Sequence, residues 1–346
     1  MDRHQPVMVR EVIQHLVAGG ARIVVDATVG SGGHAAALLD ALGPEGRLIG
    51  LDRDARALER AQEYLARFGE RVILRQSNFR SMAEVVLPLV GGGGTPRGGV
   101  DGVLMDLGVS SEQLDQPDAG FSYRVDGPLS LAMEPGGHPD AADLVNELPE
   151  MELIRIFGEY GDVRRPRALV RSILARRPLV TTFELVRAAS SVGAGRPEEL
   201  SRIFQALRIA VNDEFDSLRA GLAGLEAMLN PGGRAVVIAY HSGEDRIVKQ
   251  FFTPVTLGKP LPWLPGGGSA HRWIGLSRGA QKPTGDEVTV NVRSPEARPW
   301  GGVVSKRLGV GRDNAGRAVV HRNERGVAKG PVRGGGADVL GPRDPT

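Results

Sequence analysis

Cysteine is absent from the 346 residues, which excludes disulfides, thiolate catalysis and Cys-ligated zinc. The seven histidines show no metal-ligand spacing, so no metal is expected. No run of about 18 apolar residues occurs, and the amino terminus lacks a basic segment followed by a cleavable apolar stretch. A cytoplasmic protein that makes no membrane contact is therefore expected. Net charge is also scarce, +2 in all, but it is unevenly placed. Residues 301–346 carry nine Lys and Arg against four Asp and Glu, a net of +5, which leaves −3 for residues 1–300. A basic, Gly-rich tail on a mildly acidic body suits an electrostatic arm for a polyanion such as RNA, with a solvated and inert tail as the alternative.

What the chain does contain is concentrated in VVDATVGSGGH, Val24 to His34. Ile23, Val24 and Val25 read as a buried strand, Asp26 as its carboxyl end, and Gly30, Gly32 and Gly33 as a turn where backbone can approach a ligand closely. Ala35 to Leu42 follows as a helix. The crevice beyond such a strand end is where open α/β sheets bind cofactors. A second apolar run, Leu48 to Leu51, ends at Asp52, roughly 20 residues beyond the loop, where a carboxylate can grip ribose hydroxyls. Gly30, Gly32 and Ala35 also satisfy the loose dinucleotide fingerprint, which keeps a nicotinamide dehydrogenase open as a reading. Asp26 argues against it, because a carboxylate before the loop suits a cofactor with a cationic amino-acid tail and opposes a pyrophosphate. S-adenosylmethionine fits that requirement better than NAD.

Val72 to Arg75 and Val100 to Met105 read as third and fourth strands, the latter ending at Asp106. Apolar strands alternating with helices predict a doubly wound, Rossmann-like α/β sheet. The alternation stops after Ser111 and resumes with a strand at Arg234 to Ala239, behind the turn Asn230-Pro231-Gly232-Gly233. The interval has helical patterning at Ala141–Leu148, Met151–Phe157, Arg167–Ala175, Thr182–Ala189 and Leu200–Leu229. The expected organisation is a discontinuous cofactor domain over 1–111 and 201–300, and a helical insertion over 112–200. A tail without structure over 301–346 completes it. Because the insertion leaves from the carboxyl end of a strand, it is well placed to bind substrate, the alternative being that it only props the sheet. Arg208, Asn212 and Glu214 read as a solvated helix face, and Val288 to Val292 as a late strand.

DATVGSGGH, LIGLDRDARAL, DGVLMDLGVSSEQLD, GFSYRVDGPL, FQALRIAVNDE and HSGEDRIVKQFF, in this order and spacing, resemble the bacterial ribosomal RNA small subunit methyltransferase H family. That family methylates N4 of a decoding-region cytidine in 16S ribosomal RNA. The resemblance covers most of residues 4–252. It implies S-adenosylmethionine as cofactor and 16S ribosomal RNA, within the small ribosomal subunit, as partner. By position it implies cofactor contacts at Gly32, Gly33, His34, Asp52, Phe79, Asp106 and Gln113, to which the residue reading adds Asp26 and Gly30. Phe79 offers an aromatic wall for a purine, although a core role is the commoner one for a lone Phe.

The exocyclic amine of cytosine is a poor nucleophile because its lone pair is delocalised, so a methylating site must hold the base unstacked and accept hydrogen bonds from the amine. Asp106 is the first candidate for that acceptor. His241 and Ser242, at the next strand end, are the second, with a helix-cap role for Ser242 as the alternative. The strand end reads Asp106-Leu107-Gly108-Val109 and offers no aromatic ring of its own. The residue that stacks on the base is therefore sought among Phe121, Tyr123 and Tyr240. The family's usual arginines are Ala119 and Ala132 here, which leaves a non-catalytic RNA-binding protein as a further reading.

Overall fold

The computed structural model describes residues 6–17, 20–91, 98–108, 120–134, 139–252, 273–275, 300–306, 310–312 and 318–320. Seven strands form the main sheet: β1 Ile23–Asp26, β2 Arg47–Asp52, β3 Val72–Gln76, β4 Val100–Asp106, β5 Leu229–Ala239, β6 Trp273–Gly275 and β7 Trp300–Lys306. Their order is 3-2-1-4-5-7-6. β1 to β5 are parallel, and β7 runs antiparallel to both β5 and β6. The helices on the sheet's faces are α1 Val9–Leu16, α2 Gly33–Ala41, α3 Ala55–Leu65 and α4 Met82–Val90. Those of the insertion are α5 Ala141–Glu147, α6 Glu150–Arg155, α7 Pro166–Leu174, α8 Thr182–Ser190 and α9 Pro197–Val211. α10 Glu214–Met228 and α11 Ser242–Phe252 return to the sheet.

The central strands β1 and β2 read as apolar runs because both faces of the sheet are covered there, while β3 is only partly buried. Successive residues point to opposite sides. Val25, Ile49, Leu51, Val103, Met105 and Val237 meet Met82, Val86 and Val90 of α4, Leu218 and Leu222 of α10, and Ile247 and Phe251 of α11. Val24, Leu48, Leu104, Val236 and Ile238 meet Val12 and Leu16 of α1, Leu38 and Leu39 of α2, and Ala61 and Leu65 of α3. The chain runs outward from β1 through β2 to β3 on one side and restarts with β4 on the other. The order therefore reverses between β1 and β4, the position at which such sheets open a crevice.

The insertion has a hydrophobic cluster of its own, built from Leu129, Leu153, Ile156, Phe157, Leu169, Ile173, Leu185 and Ile203, among others. Its helices begin with strong local signals. Asp140 and Asp143 form a capping box for α5, as Thr181 and Glu184 do for α8, and Pro166 and Pro197 start α7 and α9. The cluster reaches Leu207, beyond residue 200, because the buried stripe of α9 continues to that point.

Three expectations change. The helix expected over Leu200–Leu229 is two helices, broken where Asp213 takes a left-handed conformation, φ 49°. β5 starts at Leu229 and absorbs the Pro-Gly-Gly turn as a register shift opposite Val100 and Gly102, with Gly232 at φ 85°. The start of the tail is not without structure, since residues 300–306 are β7, paired with β5 from Arg234↔Ser305 to Ala239↔Trp300. Residues 1–307 group as one compact unit. In residues 308–346, β8 Val310–Arg312 pairs antiparallel with β9 Ala318–Val320. The strand expected at Val288–Val292 lies outside the described residues, as does Gln113. Among the described residues no helix is long and apolar enough to cross a membrane.

Candidate functional site

Three carboxylates come together at the carboxyl edge of the sheet. Asp26 ends β1, Asp52 ends β2 and Asp106 ends β4, and in the register Asp26 lies opposite Gly50 on one side and Leu104 on the other. Thr28 ties the first strand to the fourth. Its backbone N–H donates to Asp26 Oδ1 at 3.2 Å, while its Oγ1 accepts from the Asp106 backbone N–H at 2.7 Å.

Asp26 is fully buried, and its Oδ2 has no hydrogen-bond partner among the described residues. Burial pushes its carboxyl up to about 7. His34 and the Thr28 N–H pull the other way, while Asp106 and Asp52 add to the rise. Such an oxygen is costly unless something cationic or hydrogen-bonding meets it. The folded chain keeps this proton up to pH 7 whereas the unfolded chain ionises near pH 4. The folded state thus holds the extra proton across that window, and stability without a ligand falls as pH rises through it.

The glycine loop adopts the backbone its sequence requires, with Gly30 at φ 52° and Gly32 at φ 92°. Gly33 opens α2 with Pro6 packed so closely that a Cβ would sit 2.5 Å from its Cγ. Asp52 is tied to this loop. Its Oδ2 accepts from the Gly30 N–H at 2.8 Å and its Oδ1 from the Asp54 N–H at 2.9 Å. Burial raises the Asp52 carboxyl despite these bonds. Phe79, in a short turn after β3, is half-buried, its ring held against Met105 and the space left by Gly221.

His34 links the loop to β4. Its Nε2 lies 2.9 Å from the Val7 carbonyl, which can only accept, so that nitrogen carries the hydrogen. Its Nδ1 lies 3.5 Å from Asp106 Oδ2. On its other oxygen Asp106 accepts from the Tyr240 hydroxyl at 2.7 Å. Tyr240 follows β5 directly and packs over Gly108, where a Cβ would stand 3.2 Å from the ring. Its backbone N–H donates to Glu244 at 2.8 Å. Ser242, at the start of α11, donates to Asp162 of the insertion at 3.1 Å. His241 is turned away from Asp106 into a pocket with Phe215 and Glu244.

The sequence-derived residues therefore divide. Asp26, Gly30, Gly32, Gly33, His34, Asp52, Asp106 and Tyr240 converge on one edge. Phe121 does not: it is buried in the insertion core. Tyr123 also packs into the insertion, edge-on to Phe204 with its hydroxyl 3.3 Å from Ser201 Oγ. Both rings satisfy the insertion's need for apolar bulk, so of the three aromatic candidates only Tyr240 stands beside Asp106.

Other groups were not legible as functional. Of Arg208, Asn212 and Glu214, expected on a solvated face, Asn212 is buried and the other two are largely covered, their side chains 14% and 11% exposed. Arg208 forms a two-point ion pair with Glu214 at 2.8 and 2.9 Å. Burial opposes the Arg208 charge, but Glu214 and Glu244 outweigh it and raise its affinity for the proton. Burial likewise works against the Glu244 charge, yet His241, the Tyr240 N–H and Arg208 together hold that carboxyl below its usual range. Glu214, His241 and Glu244 bring ligand-type atoms within 4.8 Å of one another, but Arg208 already takes both oxygens of Glu214. Asn212 accepts from the Met133 N–H and donates to the Leu131 carbonyl, both at 2.8 Å, and Arg53 pairs with Glu134 at 3.1 Å. These contacts fasten the 131–134 segment of the insertion beside the residue that follows Asp52. The signal for them was an alternative helix face that only the break at Asp213 turns inward.

A buried unpaired carboxylate oxygen, two further carboxylates and a close-fitting glycine turn suit a ligand with a cationic end and hydroxyl groups. They do not suit a pyrophosphate. The family model described as the MraW methylase family matches residues 1–299. A protein of Syntrophotalea carbinolica, named ribosomal RNA small subunit methyltransferase H, is 49% identical over 258 residues, 72% of this chain and 80% of the relative. Proteins of the same name from Carboxydothermus hydrogenoformans and Rubrobacter xylanophilus are 42% and 43% identical. They are matched over 85% and 86% of this chain and over 96% and 94% of their own lengths.

Proposed function

Because the chain belongs to the MraW methylase family, we propose that it methylates the N4 amine of a cytidine in small-subunit 16S ribosomal RNA, in the cytoplasm and on RNA within the subunit. Its cofactor is S-adenosylmethionine, and the dehydrogenase reading falls with the family. The observation that carries the reading is the placement of Asp106, accepting from Tyr240 and beside His34, at the strand end next to the buried unpaired oxygen of Asp26.

The cofactor supplies an electrophilic methyl group when bound. The chain's residues do the rest. Asp26 and the turn at Gly30, Gly32 and Gly33 hold its cationic amino-acid end, Asp52 its ribose hydroxyls and Phe79 one face of its adenine. Asp106 accepts a hydrogen bond from the target amine, balances the charge that would develop there as the methyl passes from sulfur to nitrogen, and is the group placed to take the proton that the amine releases. Tyr240 orients Asp106 and covers one wall of the base site. No side chain needs to become covalently attached.

Mass mapping of ribosomal RNA nucleosides tests the reading, with N4-methylation of one small-subunit cytidine expected in cells that carry the protein and missing from cells that lack it. Purified protein that transfers no labelled methyl to small-subunit RNA would favour the non-catalytic alternative.

Two predictions concern the cofactor. Asp52→Ala is expected to weaken S-adenosylmethionine binding by about 1.5 to 3 kcal/mol, the scale of a charge-assisted hydrogen bond to a ligand hydroxyl. Calorimetry giving unchanged affinity in the folded variant would remove Asp52 from the site. A cationic group on Asp26 favours the ionised carboxylate, so affinity is expected to rise with pH, approaching tenfold per unit below about 7 and levelling above it. Asp26→Asn should abolish that dependence, and a wild-type affinity flat between pH 6 and 8 would show that the ligand does not meet this oxygen.

A further inference from the structure

The insertion carries a group of arginines that the site does not use. Arg164 and Arg165 precede α7, and Arg167 and Arg171 lie on it, all exposed. Positions 167 and 171 are one helical turn apart and share a face, and 164 and 165 stand just ahead of the helix start. The near end of this stripe abuts the site. Asp162, two residues before Arg164, takes the Ser242 hydroxyl on its carboxylate at 3.1 Å and the Arg202 guanidinium on its carbonyl at 3.4 Å. Gly161 is pressed so closely on the Arg202 carbonyl that a Cβ would overlap it.

These charges are not spent within the protein. Among the described residues no carboxylate lies within ion-pair distance of Arg164, Arg165, Arg167, Arg171 or Arg202. Two exposed arginines elsewhere are paired, Arg67 with Asp40 at 2.7 Å and Arg80 with Asp213 at 3.0 Å, while others such as Arg10, Arg47 and Arg56 stand singly among the described residues and are scattered over separate elements. Nearby acids are otherwise engaged or displaced. Glu159 pairs with Arg155, Asp162 with Ser242, and Glu198 and Glu199 stand at the first turn of α9, before Arg202. Arg171 bonds only the Arg167 carbonyl, which holds the stem and leaves the charge outward.

We propose that Arg164, Arg167 and Arg171, with Arg165 and Arg202 at the near end, form a phosphate track for the RNA strand that leads away from the target nucleotide at Tyr240 and Ser242. This rests on the proposed function and deepens it by giving the insertion its role. Planar, always-charged guanidinium groups in succession suit phosphates at successive positions, and such contacts fix register without reading bases. The track runs along a helix and does not depend on the two family arginines replaced by Ala119 and Ala132.

The test is the salt dependence of binding to a labelled oligonucleotide of small-subunit RNA containing the target cytidine. Each lost phosphate contact on a single strand removes about 0.7 from the slope of log K against log salt, so combined Arg164→Gln, Arg167→Gln and Arg171→Gln should lower it by about 2. Affinity at low salt should fall on the order of tenfold, with cofactor affinity unchanged. The combined Lys variant should retain the slope. Removing Arg22, Arg47 and Arg67, which lie away from the carboxyl edge, should leave it near wild type. A Gln variant that is folded and has the wild-type slope overturns the track. Wild-type protein that binds RNA through these arginines but methylates no cytidine would overturn the proposed function and leave the track standing.

Discussion

Asp106→Asn is expected to cut methyl transfer by about 100- to 1000-fold while leaving the fold and much of the cofactor affinity in place, the scale on which loss of a charge aimed at a developing charge is felt. The hydrogen bonds explain why the fold should survive. The substituted amide can still accept from the Tyr240 hydroxyl through its oxygen, and the backbone N–H at this position keeps its bond to Thr28 Oγ1. What disappears is the negative charge. Single-turnover rates at saturating cofactor separate chemistry from binding. Near-normal turnover under those conditions would reduce Asp106 to positioning the cofactor and move the search for the group that meets N4 to Tyr240 and Ser242.

Glu214→Ala should destabilise the protein by about 2 to 4 kcal/mol, since it leaves the largely covered Arg208 guanidinium without its two-point partner. Only 14% of the Arg208 side chain is exposed, so water replaces the lost carboxylate only in part. Glu244 still faces Arg208 and offsets part of the loss, which places the expectation at the lower end of that range. Urea denaturation of the variant checks the size. A change under about 1 kcal/mol would mean that the pair contributes little. Replacing both partners together, Arg208→Met with Glu214→Leu, is expected to recover much of the stability because neither member of the pair is left charged and Glu244 keeps His241 as its partner. That double variant also asks whether the ionic cluster serves the site. Arg208 helps to hold Glu244 ionised, Glu244 holds the Tyr240 backbone, and Tyr240 holds Asp106. A stable double variant with lowered methyl transfer would show that the cluster positions Tyr240, and one with normal transfer would restrict it to stability.

The sequence by itself determined the half of the protein whose signals are local. β1, β2 and β4 fall where apolar runs end in Asp26, Asp52 and Asp106, because a strand buried on both faces is mostly apolar, and the partly buried β3 falls where Val72-Ile73-Leu74 marks it. The glycine loop was legible for a similar reason: positive φ at Gly30 and Gly32 is a backbone demand that other residues meet only at a cost. The family motifs carried the cofactor and the reaction. Tertiary structure decided what depends on a partner distant in the chain. β7 contains Gly301 and Gly302 and shows no alternation, and it becomes a strand by pairing with β5 and β6. Phe121 and Tyr123 look like stacking platforms until the insertion closes around them. Arg208, Asn212 and Glu214 look solvated until the chain breaks at Asp213 and turns them under the site. Helical periodicity says which residues share a face, but not which of two polar faces is buried, since that is set by what packs against it.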